Sequence, residues 1–269
     1  MALKFWNNWV ADTTNDIVYG WRKVAEKMGI AHPIDSLFFN FESIAYDILF
    51  KRLYDYKWFN TEVIPKTGPC IVISNHCSLL DPLFIGLAIH KGTAGRQTWQ
   101  LAKAELLRDP YLNVYTRMNH AIFIRRGDSD QQAIDVCKEK LLQGEMVTIF
   151  PEGTIGEGNG KFLDFKAGAI RIAHECEVPI IPAALYGTDL VFGRKSKVPA
   201  TKGKVRAIFG QPIMPDKIVK MVEISPGVTA PDYEKAMGKL QRTVRQLWSD
   251  LWAAEQEKKS EDSPSSKEQ

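Results

Sequence analysis

The chain has 269 residues, of which 45% are hydrophobic and 25% charged, and a formal net charge of +3. These proportions are those of an ordinary folded chain, and they exclude a wholly disordered, collagen-like or polytopic membrane protein. The mild basic excess does not choose between nucleic acid, an anionic membrane and no charged partner. Cys70, Cys77, Cys137 and Cys176 form no C-x-x-C pair and are too few for a disulfide framework, so a reducing compartment is the natural reading.

Taken from the N-terminus, the first stretch is aromatic but not continuously apolar. Asn7, Asn8, Asp12 and Asp16 interrupt any signal-peptide core. Residues 37–50 are the most apolar early run, yet they carry Glu42 and Asp47 and fall short of the roughly 20 residues that span a bilayer. Helical spacing is clear instead. Ile17, Trp21, Val24 and Met28 share one face; Leu37, Phe41, Ile44 and Ile48 share another, with Pro33 between the two helices. Residues 1–60 are therefore expected to form an amphipathic helical pair. It would pack on the core or lie, with Trp6 and Trp9, in a membrane interface.

From Pro69 onward the pattern changes. Short β-rich runs occur at 70–74, 98–102, 120–124, 146–150, 179–184 and 205–209, and helix-like stretches at 82–90, 129–142 and 166–176. This alternation predicts an α/β domain over 61–253, a sheet flanked by helices. Tyr233, Met237, Leu240, Val244, Leu247 and Leu251 mark one stripe of a C-terminal helix. Residues 254–269 carry no large apolar side chain and are expected to be a disordered tail.

Several segments could carry chemistry. His76 and Asp81 flank a strand end and a helix start, where sites of open α/β sheets gather. A histidine becomes a general base when a carboxylate holds its other nitrogen. The same spacing also fits a plain helix start, with Asp81 capping before Pro82. Phe150-Pro151-Glu152-Gly153-Thr154 ends an apolar strand with a Pro that breaks the ladder and a Gly that lets a ligand approach. Gly156, Gly158 and Gly160 follow and suggest a mobile loop; Lys166 then lies near a helix start suited to an anion. Arg125 and Arg126 leave the 120–124 strand, and an arginine fork suits a phosphate monoester. Each of these fits an ordinary turn or solvated surface as well. Val178-Pro179-Ile180-Ile181-Pro182 reads as core strand. Residues 191–206 hold Arg194, Lys195, Lys197, Lys202, Lys204 and Arg206 with no acid, which suits anionic headgroups or a solvated loop. Only Phe192 lies among them, which argues against single-stranded nucleic acid. The histidines other than His76 show no ligand spacing, so no bound metal is expected.

In combination these motifs are more specific. His76-x4-Asp81, Phe123-Ile124-x-Arg126, Phe150-Pro151-Glu152-Gly153-Thr154 and 178–182 occur in one order. Over roughly residues 65–210 the chain resembles the 1-acylglycerol-3-phosphate acyltransferase family. The resemblance implies a glycerophosphate-acyltransferase-like mixed sheet. It implies His76 as general base and Asp81 as its orienting carboxylate. Arg126, Glu152, Gly153 and Thr154 would bind the glycerol phosphate, with Arg125 and Lys166 as further cations. No cofactor would be bound; acyl-CoA or an acyl carrier protein would supply the thioester. Partners would be an anionic membrane surface, the lysophospholipid and the carrier protein, with no nucleic acid. The enzyme would sit on the cytoplasmic side of a membrane, peripheral or monotopic. Two departures from the family pattern stand out: His120 replaces a glycine, and Ile155-Gly156 replace an Arg-Ser pair. Ile155 cannot bind phosphate through its side chain, which opens a related lysophospholipid or amino-lipid acceptor, or transacylation. A non-catalytic lipid-binding protein on the same fold is the reading from another class.

Overall fold

The computed structural model describes residues 31–103, 120–124 and 130–261. The helix expected over Ile17 to Met28 lies outside the described residues. In chain order the elements are α1 (Ala31–Tyr54), β1 (Lys57–Phe59), β2 (Cys70–Ile73), α2 (Asp81–Gly92), β3 (Trp99–Lys103), β4 (Ala121–Ile124) and α3 (Asp130–Leu142). There follow β5 (Met146–Ile149), α4 (Gly168–Glu175), β6 (Ile180–Tyr186), α5 (Thr188–Phe192), β7 (Arg206–Phe209), β8 (Met221–Ser225), β9 (Val228–Pro231) and α6 (Tyr233–Glu261).

Seven strands form one sheet in the order β1-β7-β6-β2-β5-β3-β4. All neighbours are parallel except β6 and β7, so the sheet is mixed, as expected. β2 and β5 are wholly buried because both sheet faces are covered, which is why they read as unbroken apolar runs. Alternate residues serve opposite faces. Ile71 and Ile73 join a core with α3, α4 and α6. Cys70 and Val72 join a second core with α2 and the end of α1, through Phe84, Phe50 and Tyr54. Each fully buried Ile or Phe contributes about 1.5–3 kcal/mol relative to exposure. The sheet is thus rigid around β2, whose carboxyl end carries the His76 turn.

Three local expectations change, and the outward face of α1 is defined. Pro33 lies inside α1 (Ala31–Tyr54) rather than ahead of it. The stripe on α1 faces outward: Phe41 is 72% exposed, Ile44 56% and Ile48 65%, whereas Ser43, Phe50 and Tyr54 are buried. The chain beyond Ala254 continues as helix to Glu261, because Glu255 is buried against Arg206. Arg206 therefore is no surface cation; Asp55 and Glu255 enclose it. The hairpin β8–β9 and the short edge strand β1 carry too few periodic residues to be read from sequence.

Candidate active site

β2 ends at Ile73, and the chain then turns through Ser74, Asn75, His76, Cys77 and Ser78 into α2. Asn75 fixes the exit: its amide donates to the Leu185 carbonyl (2.9 Å), and Leu185 N–H donates back to its Oδ1 (2.8 Å). Asp81 opens α2 fully buried, with Pro82 behind it in the first turn. Its Oδ2 accepts from Cys77 N–H (2.6 Å) and Ser78 N–H (2.8 Å) and lies 2.9 Å from Nδ1 of His76. The carboxylate therefore shapes the turn and holds the imidazole together. It is more than a helix cap, since one oxygen gathers three donors. With Nδ1 engaged, Nε2 is the ring nitrogen left for substrate. The ring stacks on Phe150, centroids 4.5 Å apart, and retains a partly open edge.

The neighbouring side chains have other tasks. Cys77 Sγ lies 3.1 Å from Thr188 Oγ1. Burial pushes its thiol well up, and the nearby Asp81 charge adds to this, so it is no nucleophile at neutral pH. Ser78 Oγ donates to the Phe192 carbonyl (2.9 Å) and accepts from Leu80 N–H (3.0 Å).

β5 delivers the second segment beside the first, because β2 and β5 are neighbours in register. Glu152 is buried, and neither oxygen is idle. Oε1 accepts from His76 N–H (2.9 Å) and Oε2 from Leu163 N–H (3.1 Å). Burial raises its carboxyl above the ordinary range, and the two backbone bonds only partly oppose this. Gly153 is left-handed (φ 70°), and a Cβ there would meet Lys166 Nζ at 3.2 Å. Thr154 is exposed on the same turn. Lys166 precedes α4 by two residues and donates its N–H to the Pro151 carbonyl (3.0 Å). Gly153, Thr154 and Lys166 are all exposed, and the Lys166 side chain lies against Gly153, next to Glu152 in the chain. Arg125 and Arg126 lie outside the described residues, directly after β4.

The glycine-rich segment, expected to be mobile, makes close contacts along its length. Gly156 N–H donates to the His76 carbonyl (2.7 Å). Asp189 accepts from Asn159 N–H (2.8 Å), and Gly158 fits against that side chain with no room for a Cβ. A Cβ at Gly160 would meet Trp248 of α6 at 2.8 Å, and Gln241 donates to the Leu163 carbonyl (2.9 Å). Here the glycines permit close approach by neighbours, a use that composition cannot distinguish from mobility. Sequence reasoning missed Asn75, Asp189 and Trp248. The Gly187-Thr188-Asp189 turn after β6, with Gly187 left-handed, was the available signal.

A buried carboxylate, an imidazole with one free nitrogen, and the exposed Lys166 suit proton removal from a hydroxyl near a phosphate. Residues 56–186 match the family model described as Acyltransferase. A 1-acyl-sn-glycerol-3-phosphate acyltransferase of Helicobacter pylori is 35% identical over 152 residues, 56% of this chain and 62% of that protein. One from Bacillus subtilis is 27% identical over 157 residues, 58% of this chain and 73% of that protein. The chain thus spans about three fifths of the length of the first of these relatives. The crystal structure of the lysophosphatidate acyltransferase PlsC from Thermotoga maritima superposes with a TM-score of 0.63 at 25% identity, covering 94% of this chain and 96% of that one. The matched segment contains the His76–Asp81 pair and the Phe150–Thr154 turn that the geometry brings together, and over residues 56–186 the chain matches the acyltransferase family.

Proposed function

We propose that this protein moves a fatty acyl group from a thioester to the free hydroxyl of 1-acylglycerol-3-phosphate, giving phosphatidate. The observation that carries the reading is the 2.9 Å contact of His76 Nδ1 with buried Asp81, which leaves Nε2 as the ring nitrogen free to take a proton. His76 Nε2 takes the hydroxyl proton, and Asp81 stabilises the imidazolium. The oxygen attacks the thioester carbonyl carbon, and the C–S bond breaks as the tetrahedral intermediate collapses. The leaving sulfur takes the proton back from Nε2. No acyl-enzyme is needed, and Cys77 supports none. Lys166, with Arg125 and Arg126, would hold the phosphate. The donor would be acyl-CoA or acyl carrier protein.

The test is thiol release by purified protein with long-chain acyl-CoA and detergent-dispersed lysophosphatidate. Release that depends on the acceptor and collapses in His76→Ala supports the reading; equal release from both proteins overturns the base assignment. Ile155 favours a second reading with a related lysophospholipid or amino-lipid acceptor, and acceptor competition separates the two.

The site of action would be the cytoplasmic surface of an anionic membrane, peripheral or monotopic. No described helix is long and apolar enough to cross a membrane. Phe41, Ile44 and Ile48 nevertheless present an open apolar stripe. Arg194, Lys195, Lys197, Lys202 and Lys204 are exposed on a loop joined to the catalytic turn through Ser78, each able to contribute about 1 kcal/mol at an anionic surface. Sedimentation with anionic vesicles should weaken in Phe41→Asp/Ile48→Asp; unchanged sedimentation would exclude the stripe as the anchor. An acidic carrier protein would approach the same basic loop.

A further inference from the structure

The backbone of His76 lies past the end of β2, where the ladder to β5 has stopped; Ser74 N–H makes the last bond, to the Ile149 carbonyl (3.3 Å). Its own N–H and C=O need other partners. Both come from one distant segment. Glu152 Oε1 takes the His76 N–H, and Gly156 N–H serves the His76 carbonyl. The second Glu152 oxygen takes Leu163 N–H and so closes the segment on itself. Gly156 has no room for a side chain: a Cβ would stand 2.9 Å from Glu152 Oε2 and 3.3 Å from the His76 carbonyl oxygen.

We propose that Glu152 and Gly156 are positioning residues that fix the backbone of the base His76, and that Glu152 makes no contact with the acceptor. The proposal rests on the acyltransfer reading above only for what His76 does. Three physical points support it. Both carboxylate oxygens already accept amide N–H groups. A carboxylate facing a phosphate monoester would repel it, whereas one facing two N–H donors is satisfied. Finally, a buried group that touches both the base and the adjoining loop can transmit small displacements to the reacting atoms, and displacements near 1 Å cost about a hundredfold in rate. A glutamate is suited to this place where a glutamine is not, because an amide side chain offers a single acceptor oxygen and would turn its NH2 toward the other N–H.

The experiment combines steady-state kinetics with backbone hydrogen exchange on full-length wild type, Glu152→Gln and Gly156→Ala. Expected is a fall in kcat of about tenfold to a hundredfold in each variant, with acceptor KM within about twofold. Exchange should quicken in peptides covering 74–78 and 155–164 and stay unchanged over β5 and β6. A raised acceptor KM with kcat retained would overturn the proposal, because Glu152 then touches substrate. Unchanged exchange in both peptides would overturn it too. Exchange that quickens throughout the chain would reduce Glu152 to a general stability residue and end the positioning role. Gly156→Ala keeps the carboxylate, so it decides the matter should Glu152→Gln fail to fold. Absent thiol release from wild type would count against the acyltransfer reading, while the exchange result would still report on the backbone contacts.

Discussion

Asp81 Oδ2 gathers three donors, the imidazole of His76 and the N–H groups of Cys77 and Ser78, within 2.6–2.9 Å. An asparagine can place its carbonyl where Oδ2 stands and preserve the turn, but it removes the charge that stabilises an imidazolium. We expect Asp81→Asn to fold and to lose about two to four orders of magnitude in kcat, as charge removal does in other carboxylate–histidine pairs. Circular dichroism together with the thiol-release assay checks both halves.

Glu152 has a pH signature of its own. Its folded carboxyl is raised above the ordinary range by burial. A raised group contributes stability below its unfolded pKa and loses that contribution as pH rises through the folded value. Glu152→Gln lacks this contribution. The melting temperature of wild type relative to the variant should therefore fall as pH rises from the ordinary carboxyl range through the raised folded value. A difference that stays constant across this range would contradict the shift.

Arg206 and Glu255 give the opposite sign. Burial alone would push the Glu255 carboxyl up, but Arg206, with Nε 2.7 Å from Oε1, outweighs it and holds the group below its usual range. Stability from this pair is present above the unfolded carboxyl pKa and is lost as pH falls through the folded one. Glu255→Gln should be less stable than wild type at pH 7, with the gap closing under acid. Arg206→Met leaves Glu255 with Lys204 and Lys258 alone and should cost about 3–5 kcal/mol in denaturant titration. Truncation after Ala254 should lower the melting midpoint by several degrees.

Gly158 tests whether the glycine-rich loop is held. It is left-handed at φ 79°, and a Cβ would run into the Asp189 side chain. Gly158→Ala meets both costs and should lose about 1–3 kcal/mol of stability. An unaffected variant, in melting and in kcat, would mean the loop has freedom that these contacts deny.

Local pattern determined the elements. The apolar runs that became β2, β5 and β6 are buried on both faces and so read as continuous, and the stripe from Tyr233 to Leu251 is one face of α6 and so repeats with the helical period. His76 and Asp81 were legible for the same reason: five positions apart, they meet within a single turn. Tertiary structure alone decided what lies across the fold. Glu152 reaches His76 over 76 positions, Arg206 reaches Glu255 over 49, and Asp189 reaches Asn159 over 30. A carboxylate taking up backbone N–H groups, a buried arginine and a glycine giving way to a neighbour leave no periodic trace. Each is a contact between segments that meet only once the sheet has ordered its strands.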